Sequence, residues 1–67
     1  MDKYKPPDNY LEIIQLLTDD YSIKEIADYL KISIPSINKK LRFMREKLNA
    51  HSTIKVAAYC FRNGLIK

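Results

Sequence analysis

The sequence predicts an all-α fold, and three observations lead there. Apolar residues recur at intervals of three and four through most of the chain, the spacing of one helix face. Residues suited to capping, Ser22 and Ser33 among them, stand just ahead of such runs. The chain has one glycine and no alternating Val/Thr runs, so strands have little to form from. Four helices account for the pattern.

The first helix opens near Asp8 or Asn9, either of which could cap it, and sets Tyr10, Ile13, Ile14 and Leu17 on one face. Asp19-Asp20 ends it in a polar turn. The second opens on Ser22-Ile23-Lys24-Glu25, a capping box in which Ser22 and Glu25 each satisfy a free backbone N–H. Its apolar stripe is Ile23, Ile26, Ala27 and Leu30. Ser33 caps the third helix, with Pro35 tolerated in the first turn. Ile37, Leu41, Met44 and Leu48 then form an inward stripe. The fourth begins near Ser52 and closes at Asn63-Gly64, where glycine supplies a left-handed cap and Leu65 folds back on the last turn. Tyr21 and Tyr29 are expected at the edge of the core.

A chain of 67 residues is one domain at most. At this size only about 60% of the unfolded surface is buried, so the core needs help from disulfides, metals, partners or tight helix packing. The single cysteine, Cys60, cannot form an internal disulfide, and one Cys with one His cannot build a zinc site. Helix packing remains, with oligomerisation as support, and Cys60 is expected to be a small buried side chain. Residues 1–7, with Pro6-Pro7, predict a linker or tail ahead of a domain at 8–67. No signal-peptide stretch is present, and the longest apolar run, Val56 to Phe61, is too short to cross a bilayer. A cytoplasmic location without membrane association is therefore expected. No cofactor is expected either: one glycine cannot make a glycine-rich phosphate loop, and His51 beside Ser52 lacks a third triad member. Nothing in the sequence suggests an enzyme.

Charge is distributed unevenly. Residues 1–30 carry three bases and seven acids, a net −4, whereas residues 31–67 carry nine bases and one acid, a net +8, which together make the overall +4. Such a division points to a polyanion met by the C-terminal half, although a solvated basic face would leave the same trace.

The spacing of the second and third helices favours the polyanion. Two helices joined by about three residues cross steeply, as in a helix-turn-helix. Ala27 is the small residue where the backbones approach, Leu30 and Ile32 flank the turn, and Ile37 locks one helix on the other. At about 100° per residue, Lys39, Arg42, Phe43 and Glu46 face away from the inward stripe. Asn38 and Arg45 lie on one flank, Lys40 and Lys47 on the other. A helix in the major groove needs amide and guanidinium groups for base edges and cations at its sides for phosphates. Phe43 would touch thymine methyls or cover the lysine stems.

The segments SIKEIADYLKIS, SINKKL and KLN, followed by VAAYC and GLI, resemble the LuxR/GerE family of bacterial helix-turn-helix domains. That resemblance spans residues 11–66 and implies a four-helix bundle that binds double-stranded DNA sequence-specifically as the effector domain of a transcription regulator. It implies base contacts from Asn38, Lys39 and Arg42. Phosphate contacts would come from Ser36, Lys40 and the start of the second helix, Ser22 and Lys24, joined by the flanking Arg45 and Lys47. A homodimer on DNA would form through Ile54, Ala58, Tyr59 and Phe61 of the fourth helix, and RNA polymerase would be a further contact. The chain is expected to be the excised C-terminal domain of a longer regulator, such as a response regulator of a two-component system.

Several positions depart from the family pattern. Lys40 stands where histidine is usual, Asn49 where glycine is usual, and Phe43 where a polar residue is common. Tyr10 and Thr53 replace an acidic and a basic residue, which removes an ion pair between the first and last helices at those positions. Lys31 fills a turn position where many such motifs have glycine, and a positive φ there would cost about 1 kcal/mol. Two other readings compete. A domain resembling region 4 of sigma factors is disfavoured by the fourth helix and the G-L-I ending. A protein-interaction module that has lost DNA binding is disfavoured by the basic outer face.

Overall fold

Serine hydroxyls open three of the four helices in the computed structural model, which describes residues 9–67. The proposed linker at 1–7 and the candidate cap Asp8 lie outside the described residues. Helix α1 spans Tyr10–Thr18, α2 Ile23–Leu30, α3 Ile34–Lys47 and α4 Thr53–Arg62, with no strand among the described residues. The fold is the all-α four-helix bundle that the periodicity predicts.

Ser22, Ser33 and Ser52 each sit in extended backbone and accept the N–H three residues on, from Glu25, Ser36 and Lys55 at 3.1, 3.2 and 3.2 Å. At α2 the box is complete, since the Ser22 N–H donates to Glu25 Oε1 at 2.8 Å. Such a cap contributes about 1 kcal/mol. The first helix differs from expectation. Asn9 precedes it with φ −44° and ψ −9°, and its side chain makes no capping bond. The backbone is already helical there, so the amide cannot fold back onto the first turn as a cap in extended geometry does.

The helix ends share one device, a residue in the left-handed region: Asp20 at φ 73°, Lys31 at 59°, Asn49 at 52° and Gly64 at 69°. After α1, α3 and α4 it creates the paired backbone bonds of a Schellman motif. Tyr21 N–H donates to Leu16 O, Ala50 to Arg45 O and Leu65 to Cys60 O, at 3.0, 2.8 and 2.8 Å. Gly64 holds this geometry without steric cost, and short polar Asp20 and Asn49 tolerate it. Asn49 thus does the work of a glycine. Lys31 has neither advantage, so the turn between α2 and α3 carries the strain that its sequence implies.

The core is one cluster: Ile13 and Ile14 from α1, Ile26 and Ala27 from α2, Ile37, Leu41 and Met44 from α3, Val56 and Cys60 from α4, and Ile66 beyond it. No buried polar or charged residue interrupts it among the described residues. Cys60 is fully buried, and desolvation pushes its thiol pKa up, away from reactivity. Helices α2 and α4 each contact both α1 and α3 but not one another. Leu48 is half-buried against the core but lies just past the last turn of α3 as its C-cap. Tyr21 and Tyr29, expected at the core edge, are instead exposed, at 47% and 67%, while Ile23, Leu30 and Ile32 pack half-buried against the core. Among the described residues no helix is long and apolar enough to cross a membrane.

Candidate nucleic-acid interface

Helix α3 is positioned from below and before. Ile37, Leu41 and Met44 anchor its inner face, and the turn at 31–33 sets its start against α2. Fourteen residues carry it well past its neighbours' lengths, so its outer face is continuous. Asn38, Lys39, Arg42, Glu46 and Lys47 are exposed on it, whereas Ser36, Lys40, Phe43 and Arg45 are half-buried. Arg45 and Lys47 in the last turn also favour the negative end of the helix dipole.

A cleft of about 510 Å³ runs along this face, lined by Ser36, Lys39, Lys40, Arg42, Phe43 and Glu46, with Tyr10 of α1 closing one side. Four of the residues singled out from the sequence, Ser36, Lys39, Lys40 and Arg42, therefore meet in one concavity. Asn38 and Lys47 are on the same helix but outside that lining.

Phe43 does not point straight outward, as the helical wheel had it. Its ring meets Tyr10 edge to face, with centroids 5.6 Å apart and planes at 88°, a favoured aromatic arrangement. The Lys40 ammonium lies 5.5 Å from the centre of the Tyr10 ring, and the Lys47 ammonium 5.5 Å from that of Phe43. Both are within cation–π range. The lysine that Phe43 meets is thus Lys47, through its ammonium group. Tyr10 was assigned to the inward face alone, and its place beside the basic cleft was missed. No local spacing could reveal it, because the contact joins α1 to α3.

The remaining candidates are more dispersed. Arg45 Nη1 donates to Thr53 Oγ1 at 3.2 Å, which ties part of the guanidinium to the start of α4. Thr53 thus joins α4 to α3, where the family pattern has a basic residue. The Ser22 oxygen is occupied by the Glu25 N–H, leaving its hydroxyl proton to donate, and Lys24 is exposed one residue inside α2. On α4, Ile54 and Phe61 are 81% and 63% exposed, and half-buried Ala58 completes a stripe at intervals of four and three. Tyr59 departs from that stripe and packs half-buried on the core. Among the described residues no group of three or more His, Cys, Asp or Glu could hold a metal ion.

Comparison with known proteins agrees with this architecture. No curated protein was found to match the chain. Residues 10–60 match the GerE family, described as bacterial regulatory proteins of the luxR family. Its domains are non-catalytic helix-turn-helix modules generally involved in DNA binding. With most of its length matched and α2 and α3 forming the helix-turn-helix, the chain belongs to the luxR family of bacterial regulatory proteins.

Proposed function

We propose that this chain binds double-stranded DNA sequence-specifically as the effector domain of a transcription regulator, with α3 in the major groove. The observation that carries the reading is the outer face of α3, on which exposed amide, ammonium and guanidinium groups follow one another along an otherwise well-anchored helix. Asn38, Lys39 and Arg42 are the base-reading residues. Arg42 suits guanine, and Asn38 suits adenine. Ser36, Lys40 and Lys47 meet phosphates on the flanks of the groove. Arg45 meets them with the donors that Thr53 leaves free, and Ser22 and Lys24 do so from the start of α2. Such a role belongs in the cytoplasm, beside the chromosome.

One recognition helix reads only a few base pairs, so two copies bind a two-part site. The stripe of exposed Ile54 and Phe61 around half-buried Ala58 is the proposed dimer surface. Two apolar side chains around one small residue make a small patch, so association is weak in solution and completed on DNA. Tyr59 is half-buried against the core and contributes less than Ile54 and Phe61.

Selection from a random duplex pool tests the proposal. The expected outcome is a recurrent motif with two related half-sites. Recovery of no enriched motif would contradict sequence-specific reading, and no retention of duplex at low salt would favour a protein-interaction module instead.

A further inference from the structure

The four side chains that join α1 to the basic flank of α3 alternate cation, ring, ring, cation. Lys40 lies over Tyr10, Tyr10 meets the Phe43 ring edge to face, and Lys47 lies over Phe43. Lys40 and Lys47 are seven residues apart, so they lie on one flank two helical turns from each other, about 10.5 Å along the axis. Lysine side chains on an exposed helix ordinarily sample many rotamers, and ordering one on binding is unfavourable. Here both ammonium groups already have a place to rest beside the cleft.

The choice of an aromatic partner has an electrostatic consequence. Glu46 lines the same cleft, but a carboxylate in the place of the Tyr10 ring would neutralise Lys40 directly and would itself repel phosphate. The face of a ring attracts the ammonium through its quadrupole and leaves the full positive charge in place. The ring occupies one side of the ammonium, and its N–H donors on the other sides remain available.

We propose that Tyr10 is a positioning residue for duplex binding: its ring, braced by Phe43, holds the Lys40 ammonium at the α1–α3 cleft, where it receives a backbone phosphate. The proposal rests on the reading of α3 as the DNA-facing helix. It extends the interface to the first helix and makes Phe43 the support that Tyr10 leans on. Tyr10 itself need not touch DNA; it acts through Lys40.

A double-mutant cycle on the whole 67-residue chain tests it, with a random-sequence duplex as probe at fixed salt. Tyr10→Leu keeps apolar bulk and removes the ring, and Tyr10→Phe keeps the ring and removes the hydroxyl. Tyr10→Leu should weaken binding about two- to five-fold in the parent and leave affinity unchanged in a Lys40→Ala background. Tyr10→Phe should bind as the parent does. In the free parent, which needs no substitution, ring current should move the Lys40 ε-methylene protons upfield; Tyr10→Phe should keep that shift and Tyr10→Leu lose it. Equal losses in both backgrounds, or no loss in either, would overturn the positioning role. So would Lys40 protons at ordinary positions in the parent. A parent that showed the upfield shift yet bound no duplex would instead overturn the DNA reading on which the role depends.

Discussion

The side-chain amide of Gln15 pairs with both backbone groups of Lys67: Oε1 accepts the Lys67 N–H at 2.7 Å, and Nε2 donates to the Lys67 carbonyl at 3.2 Å. A glutamine in α1 thereby holds the segment after α4 through its backbone. Ile66, just before it, is buried in the core. Two exposed hydrogen bonds contribute about 1–2 kcal/mol together. Gln15→Ala should therefore lower the melting temperature by about 5–10 °C and speed exchange of the Lys67 amide. An unchanged melting curve would mean that burial of Ile66 alone holds this end.

This contact also marks where sequence reading stops. Helix starts were legible because capping is local: Ser22 and Glu25 are three residues apart, and their chemistry names them. The inward stripe of α3 was legible because Ile37, Leu41 and Met44 follow the helix period, and all three are buried. Gln15 and Lys67 are 52 residues apart, and nothing local distinguishes Gln15 from a solvated glutamine. Phe43 was misplaced for a related reason. A wheel describes one helix by itself, whereas the position of Phe43 is decided by Tyr10 on another. Asn9 failed as a cap because a residue's suitability for capping does not fix the backbone angles that capping requires. On the basic face, the placement of Ser36, Lys39, Lys40 and Arg42 along α3 was legible from charge and period, and the contact of Tyr10 with Phe43 was not.

Lys31 offers a test of backbone strain. It is exposed, and its φ of 59° places a residue that carries a Cβ in the left-handed region. Lys31→Gly relieves about 1 kcal/mol of steric cost, part of which is offset by the greater freedom of glycine in the unfolded chain. The expected net effect is a gain of about 0.5 kcal/mol, seen as a melting temperature higher by about 2–4 °C. A lower melting temperature would show that Lys31 makes a stabilising contribution larger than its strain.

The α4 stripe bears on assembly. Ala58 lies between Ile54 and Phe61 and is small enough for two helices to approach closely across a two-fold axis. Ala58→Glu places a charge there, and two such charges would face each other in a dimer. Cooperative binding to a duplex with two half-sites should be lost, while the helical circular dichroism and the affinity for one half-site stay near those of the parent. Retained cooperativity would remove α4 as the dimer surface.

The central claim is that the outer face of α3 reads base edges while its flanks hold phosphates, and a salt-dependent duplex titration of two variants tests it most directly. Lys40→Ala should weaken binding about equally on a selected site and on random duplex, lowering the salt slope by about one per subunit. Arg42→Ala should lose about 1–3 kcal/mol mainly on the selected site, reducing the ratio between the two duplexes. If both variants lost selected-site and random-duplex affinity in the same proportion, Arg42 would be one more phosphate contact, and the account of α3 as the reading helix would be contradicted.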